Sequence, residues 1–491
     1  MSRISILEII LTMQKILFIA FALMSAMVMD AQDASTWTLE RCIDFAQKNS
    51  LTIKQGENTI RNAQLAVKQI ELSRYPTVNG SITTGANFGT AIDRASNNFA
   101  TGSSAFNSLS LSANGPIYNG GRIQNSILQS RLERDAAKSD QEQTIQNTSL
   151  SVASNYLQVL LAEEQLGNTQ KRLEQNRQQL VQIDKFIQAG SRPQNDRLDI
   201  LAQLARNEQL VVSAQNNVEL SYLALKQSIQ LDPATDMKLG KPTVNVPNSN
   251  DVEGITLSSL YNSAVSRQPQ IKAGEYRQKA AELGVKIAQA DRLPSVSWFS
   301  SISTNYSTLV PNDGSVQAIP LTRQVYINGS STPTTITSLE RVFIPGIGKK
   351  SYLSQVGKNL GQGVGVSINI PIYNQGRTDI GIERAHINIL NTQLSNQQVQ
   401  NRLKSDIQTA IANARAAKKT FEAAEKTIVA TKAAFENIEK KFKVGAASTF
   451  EFTTAKNNWD TSETDLIVAK YDYIFKLKIV DFYQGKKLVL N

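Results

Sequence analysis

Apolar and polar positions follow two different periods along this chain, and the switch between them recurs. In the stretch after Leu39 apolar residues fall at helical spacing, as in Ile53, Ile60, Val67 and Ile70. The helix this predicts ends before Pro76, because a residue ahead of proline is driven out of the helical region. At "TVNGSITTGANF" the period drops to two: Val78, Ile82, Ala86 and Phe88 point one way, Asn79, Ser81, Thr83 and Asn87 the other. A Gly/Asn/Ser-rich connection leads to a second alternating run, with Leu109, Leu111 and Ala113 against Ser108, Ser110, Ser112 and Asn114. Both runs predict strands with one oily and one wet face. Proline-free helix text follows from Arg122 to about Gln188, on the order of 100 Å of helix. A turn at Gly190 and a return helix from about Pro193 to Gln230 complete the series. Apolar residues there recur in a narrow, Ala-rich stripe (Leu150, Ala153, Leu157, Leu161), which predicts helices packed side by side in a coiled-coil wall.

The whole plan is written twice. With an offset of 218, Leu39 to Val78 lies over Leu257 to Val296 with 13 of 40 positions identical, among them Ala46/Ala264, Gly56/Gly274, Glu57/Glu275, Arg74/Arg292 and Pro76/Pro294. "PIYNGGR" (Pro116 to Arg122) and "PIYNQGR" (Pro371 to Arg377) then match in six of seven positions at an offset of 255, which Gly190 and Gly445 keep. The second copy repeats the strands with Val296, Trp298 and Ile302, then Val364, Val366, Ile368, Ile370 and Ile372 against Ser367 and Asn369. Its long helix runs from Arg377 to about Val444 and its return helix from about Thr449 to Tyr483. The extra residues of the second copy fall in a Ser/Thr/Gly/Pro-rich segment at about 309–361, which reads as a long loop on the side away from the helices. The expected organisation is a leader at 1–31, a first repeat at 32–235, a linker at 236–256 and a second repeat at 257–491.

Four strands of about 10 to 13 residues have the length a tilted strand needs to cross a bilayer. Four cannot close a membrane barrel, and open edges in lipid leave backbone groups unpaired. The chain must therefore oligomerise, with two copies giving eight strands or three giving twelve. In each PIYN corner Pro116 or Pro371 ends a strand, Gly121 or Gly376 permits the reversal, and Arg122 or Arg377 begins a helix.

Composition narrows the partners. Lys15 precedes an apolar run from Ile16 to Val28, and Ala31 offers a cleavage point before Gln32, so the start reads as a secretory signal, with Met13 as an alternative first residue. No cysteine lies at the cleavage site, which argues against lipid attachment, and the single Cys42 reads as a small helix residue. The formal charge of +10 comes from Lys and Arg scattered among Glu and Asp, which indicates solvated helix faces rather than a nucleic-acid surface. The lone His386, beside Arg384, leaves little material for a catalytic dyad or a metal site, and "GVGVS" at Gly363 to Ser367 is strand text rather than a phosphate loop. No enzyme activity, cofactor or metal is expected.

The signal, the duplicated plan, the Tyr75-Pro76 and Leu293-Pro294 entries to the strands and the paired P-I-Y-N-x-G-R corners resemble the TolC family of outer membrane efflux and secretion channels. The resemblance covers almost all of the mature chain. It implies an α+β membrane protein, internally duplicated, that forms a homotrimer: a twelve-stranded barrel in outer membrane lipid, continued by an α-helical coiled-coil tunnel through the periplasm of a Gram-negative cell. It also implies docking onto a periplasmic adaptor protein and an inner membrane transporter, for efflux of small molecules or secretion of proteins.

The family narrows its tunnel at the periplasmic tip with acids about six residues after the turn glycine. Asp196 and Glu451 match those positions, and Asp199 matches a further acid whose second-copy counterpart is Thr454. Threefold symmetry would make each a ring of carboxylates that favours cations. Acids near a helix N-terminus also suit the helix dipole with no pore at all. The basic residue expected near the second turn is replaced by Ala446, Ala447 and Ser448. Gly190, Ser191, Gly445, Ala446 and Ala447 resemble the adaptor-docking turns, or serve as plain loop punctuation. The rival readings are a periplasmic coiled-coil scaffold or adaptor without a pore, which has no reason to keep four membrane-length strands, and a secreted glycosidase using Asp196 and Glu451, which would need a compact core.

Overall fold

A computed structural model describes residues 36–93, 98–240, 253–329, 331–344, 346–486 and 488. The expected leader lies outside these residues, as does most of the expected linker. The first copy comprises β1 (Thr36–Trp37), α1 (Leu39–Asn49), α2 (Leu51–Leu72), β2 (Thr77–Asp93), β3 (Asn98–Tyr118), α3 (Arg122–Gln188) and α4 (Asn195–Ile229), followed by β4 (Lys238–Leu239). The second comprises α5 (Leu257–Arg267), α6 (Pro269–Ala290), β5 (Ser295–Ser307), β6 (Ser315–Val325), β7 (Thr334–Ile344), α7 (Tyr352–Lys358), β8 (Gly361–Asn369), α8 (Arg377–Lys443) and α9 (Thr449–Tyr483). Corresponding helices have equal lengths: 11 residues for α1 and α5, 22 for α2 and α6, 67 for α3 and α8 and 35 for α4 and α9.

The chain forms two compact units, and each draws on both copies. Of the described residues, one takes in those up to Asn62, those between Arg134 and Arg277 and those from Thr392 onward; the other takes in those between Ala63 and Glu133 and between Gln278 and Asn391. The first unit is helical and holds three apolar clusters. Cys42, Ala46, Val152 and Tyr156 centre one of them and Leu260, Ala264, Ile407 and Ile411 another. These are the same positions under the two offsets, so each repeat buries the same four places. Burial pushes the Cys42 thiol up to about 12. A two-residue parallel pairing of β1 with β4 closes the first cluster, and the buried Tyr156 hydroxyl donates to the Gly240 carbonyl at 2.8 Å.

The second unit carries an antiparallel sheet in the order β2-β3-β5-β8. Val78 faces Ala113 and Ile82 faces Leu109 across β2 and β3; Leu111 faces Ile302, and Trp298 faces Val366. The alternating apolar positions therefore fall on one face of all four strands, and most of the serines and asparagines on the other, together with Phe106 and Phe299. Three rings cover glycines on neighbouring strands: Phe106 over Gly85, Phe299 over Gly365 and Trp298 over Gly115. Each occupies the space a side chain at the glycine would take, within 2.9 Å of a would-be Cβ.

Two expectations need correction. The strands were expected at about 10 to 13 residues, but β2 and β3 have 17 and 21 and β8 has 9. β2 and β3 continue as a two-stranded ribbon past the last β5 partner, Ser307 opposite Phe106, through Gly89 and Gly102, which face each other with φ of +98° and +125°. The expected loop at 309–361 contains the β6–β7 hairpin, which tolerates Pro320 because it has only two strands, and helix α7. The Gln355 side chain binds both the N–H and the carbonyl of Ser307, satisfying strand groups on β5 that β8 stops short of reaching.

Candidate functional site: the paired corners and the helix turns

The two corners reverse the chain by the same backbone device. Gly120 and Gly121 have φ of +64° and +79°; Gln375 and Gly376 have +59° and +74°. A non-glycine residue there costs roughly 1–2 kcal/mol, so Gln375 is tolerated rather than favoured. At the first corner glycine is required, because a Cβ on Gly120 would lie 2.9 Å from the Ala290 carbonyl oxygen. Pro116 sits within β3, which continues to Tyr118 across an irregularity in its pairing with β5, whereas β8 stops at Asn369, ahead of Pro371. The expectation that both prolines end a strand holds only for Pro371. Arg122 pairs with Asp291 at 2.5 Å, and Arg377 bonds the Gln375 amide oxygen at 3.3 Å. Arg74 bonds Gln124 and Arg292 bonds Asp379, at 2.6 and 2.5 Å, the same contact in both copies.

The far turns are also built alike. Gly190 (φ +73°) donates to the Ile187 carbonyl and Ser191 to that of Phe186; Gly445 (φ +77°) donates to Phe442 and Ala446 to Lys441. These are Schellman caps, which need a left-handed residue at the glycine position. Gly190, Ser191, Gly445 and Ala446 are exposed, while Ala447 is buried. Val444 and Phe450 flank the second turn with 79% and 76% of their surface exposed, an apolar feature that the motif reading passed over.

Below the turns, Phe442 stacks on Phe452 with centroids 4.5 Å apart, and Phe435 stacks on Trp459 at 5.1 Å. Arg192 joins the two turns over this cluster. Its guanidinium lies 4.3 Å from the Phe442 ring and donates to the carbonyls of Phe442 and Ala447 at 2.9 and 3.2 Å. Under the repeat offset Arg192 corresponds to Ala447, so the absent second-turn base has a first-turn substitute. No periodicity marks it; only its lack of a basic counterpart in the second copy could have singled it out.

The three acids lie in different surroundings. Asp196 is mostly covered and has Arg192 at 3.7 Å. Asp199 is exposed. Glu451 is exposed and forms a capping box, accepting from the Ser448 N–H at 2.8 Å and hydroxyl at 2.9 Å. Those two bonds hold its carboxyl below the usual glutamate range. A buried ionic group sits further along the same helices: Lys456 pairs with Asp460, bonds Gln175 at 2.8 Å and lies 4.7 Å from the Trp459 ring. Arg172, lowered from its usual range by burial and supported by Asp460, donates to Thr464 at 2.6 Å. Among the described residues no helix is long and apolar enough to cross a membrane, and no cluster of His, Cys, Asp and Glu could hold a metal.

The family model "Outer membrane efflux protein" matches residues 42–229 and 351–477 of this chain. The outer membrane efflux protein BepC of Brucella suis is 21% identical over 469 residues, covering 94% of this chain and 88% of BepC. Among solved structures, the fold is similar to CusC (TM-score 0.72, 16% identity, 91% of this chain and 92% of that one) and to VceC of Vibrio cholerae (TM-score 0.68, 14% identity, 91% and 96%). With well over half its length matched by that model, this chain belongs to the outer membrane efflux protein family, the TolC-like channels of the outer membrane.

Proposed function

We propose that three copies of this chain close a twelve-stranded barrel in the outer membrane and continue it as a helical periplasmic tunnel, the exit duct of a tripartite efflux pump or secretion system. The observation that carries this reading is the four-stranded sheet: the alternating apolar residues share one face across all four strands, and among the described residues both outer edges, β2 and β8, lack a partner strand. In lipid an open edge costs several kcal/mol per unpaired backbone group, and the smallest membrane barrels have about eight strands. Further copies of the chain meet both requirements; a scaffold without a pore needs neither.

In this reading the exposed turns at Gly190, Ser191, Gly445 and Ala446, with Ala447 packed beneath them, meet the adaptor's helical tips, and Val444 and Phe450 supply apolar contact. The aperture lies beside them. Asp199 and Glu451 offer rings of carboxylates, and Asp196 acts through Arg192, which ties the two turns of one chain together. Planar-bilayer recording tests this. Cation-preferring channels are expected, with the preference reduced by Asp199→Ala and Glu451→Ala. Unchanged selectivity in both variants would remove these acids from the aperture, and absence of any conductance would remove the pore.

A further inference from the structure

The duplication fixes more than a likeness between copies. Carrying the pair Thr77–Asn114 of the β2–β3 ladder forward by 218 and 255 gives Ser295–Asn369, and that pair is observed in the β5–β8 ladder. The same transfer takes Val78–Ala113 onto Val296–Ile368. The two offsets therefore act on strand register as well as on sequence. Within the four-stranded sheet, the ladder left without a counterpart among the described residues is β3 with β5, the junction between the copies. Its equivalent is β8 of one chain with β2 of another.

We propose that β8 pairs antiparallel with β2 of a second copy in the register set by the β3–β5 ladder. Ser112 opposite Ser301 becomes Ser367 opposite Thr83 of the second copy; Ala113 opposite Ser300 becomes Ile368 opposite Ile82; Phe106 opposite Ser307 becomes Gly361 opposite Gly89. The proposal rests on the closed-ring reading above and goes further by naming which residues meet.

Three independent features agree with this register. First, it aligns the faces: Val364, Val366 and Ile368 come opposite Ala86, Thr84 and Ile82, on the apolar side of both strands. A one-residue slip would set Ile368 against Ser81 or Thr83 and turn one strand over. Second, the ends coincide. Gly361 is the first residue of β8, and its partner Gly89 is where β2 takes a φ of +98°, so the ribbon departs from regular geometry where the partner strand would end. Third, Gly365 comes opposite Gly85. Each is already covered by a ring of its own chain, Phe299 and Phe106, so neither position has room for a side chain.

The transfer also exposes a difference between the two junctions. Within the chain, Gly120 packs against Ala290 and Leu293, and Arg122 pairs with Asp291. Between chains the same places hold Gln375 against Leu72 and Tyr75, and Arg377 against Ser73. Leu72 is 52% exposed where its counterpart Ala290 is 5% exposed, as a surface awaiting a second copy would be. The inter-chain corner thus lacks both the glycine contact and the ion pair.

Cysteine pairs in the full-length chain, with Cys42→Ala as background, test the register in outer membranes. Residues directly opposite lie about 4.5–5.5 Å apart at Cα, within disulfide reach, while pairs displaced by two lie at about 7–8 Å. Thr83→Cys with Ser367→Cys is expected to give covalent multimers on mild oxidation, at least several-fold more than Ser81→Cys with Ser367→Cys. Ala86→Cys with Val364→Cys provides a second directly opposed pair on the other face. Preferential cross-linking of the displaced pair, or none from either opposed pair in a protein of multimeric mass, overturns the register and leaves the ring. A monomeric mass overturns both, with the failure assigned to the ring.

Discussion

Gln141 lies directly over Gly56, its amide nitrogen 2.9 Å from the Ile53 carbonyl, in a space where a Cβ on Gly56 would meet the Gln141 amide oxygen at 1.5 Å. Asn396 lies over Gly274 in the same way, bonding the Gly274 carbonyl at 3.0 Å. Both pairs are related by the repeat offsets. Each fixes a short helix against a long one, which accounts for a glycine kept mid-helix in both copies.

Gly56→Ala should therefore show opposite effects in two backgrounds. Alone, it displaces the Gln141 amide, and the lost bond offsets the roughly 1 kcal/mol gained from alanine's helix propensity, leaving the variant no more stable than the parent. Combined with Gln141→Ala, the propensity gain should appear, so the double variant unfolds at higher temperature than Gln141→Ala alone. Thermal unfolding in detergent measures both, and additive effects would show that the two residues are uncoupled.

Arg192→Ala should loosen the two turns, and with them the aperture proposed above. The guanidinium makes two charge-assisted bonds and one ring contact between the turns, together roughly 2 kcal/mol or more. Higher or longer open conductance in planar bilayers is expected, with Arg192→Lys intermediate because a point charge cannot bridge both carbonyls.

Lys456 and Asp460 are 7% and 8% exposed, so breaking the pair leaves a buried charge. Asp460→Asn should destabilise by about 3–5 kcal/mol, whereas removing all the charges together, Lys456→Met with Asp460→Leu and Arg172→Leu, should cost far less. Denaturant titration of the three proteins distinguishes this from a surface pair, for which all would lie within about 1 kcal/mol.

The cap of α9 should be pH-dependent. Because Glu451 is held below its ordinary range, the cap's contribution is complete above the unfolded-state value and is lost as pH falls through the folded one. Ser448→Ala, costing about 1 kcal/mol at pH 7, should therefore cost progressively less as pH drops below about 4. A pH-independent difference would remove Glu451 from the cap.

The sequence showed its plan where structure repeats with a period. Leu111 and Ile302 could be assigned to one oily face before their pairing was known, and equal offsets matched α3 to α8. What it hid depends on contacts between distant residues or on composition without alternation. Arg192 meets carbonyls 250 and 255 positions away, which no local pattern registers. Lys456 and Asp460, an i,i+4 pair, read like a solvated helix face and are buried. The ends of β2 and β3 run through Gly- and Ser-rich text, where backbone pairing, not side-chain patterning, holds the ribbon.

In the proposed assembly the open edges of β2 and β8 are closed by further copies of the same chain. The detergent-corrected mass of protein extracted from outer membranes tests it most directly. The account predicts a mass of three chains, giving twelve strands; a monomer would contradict it, because the sheet's two edges would then face lipid unpaired.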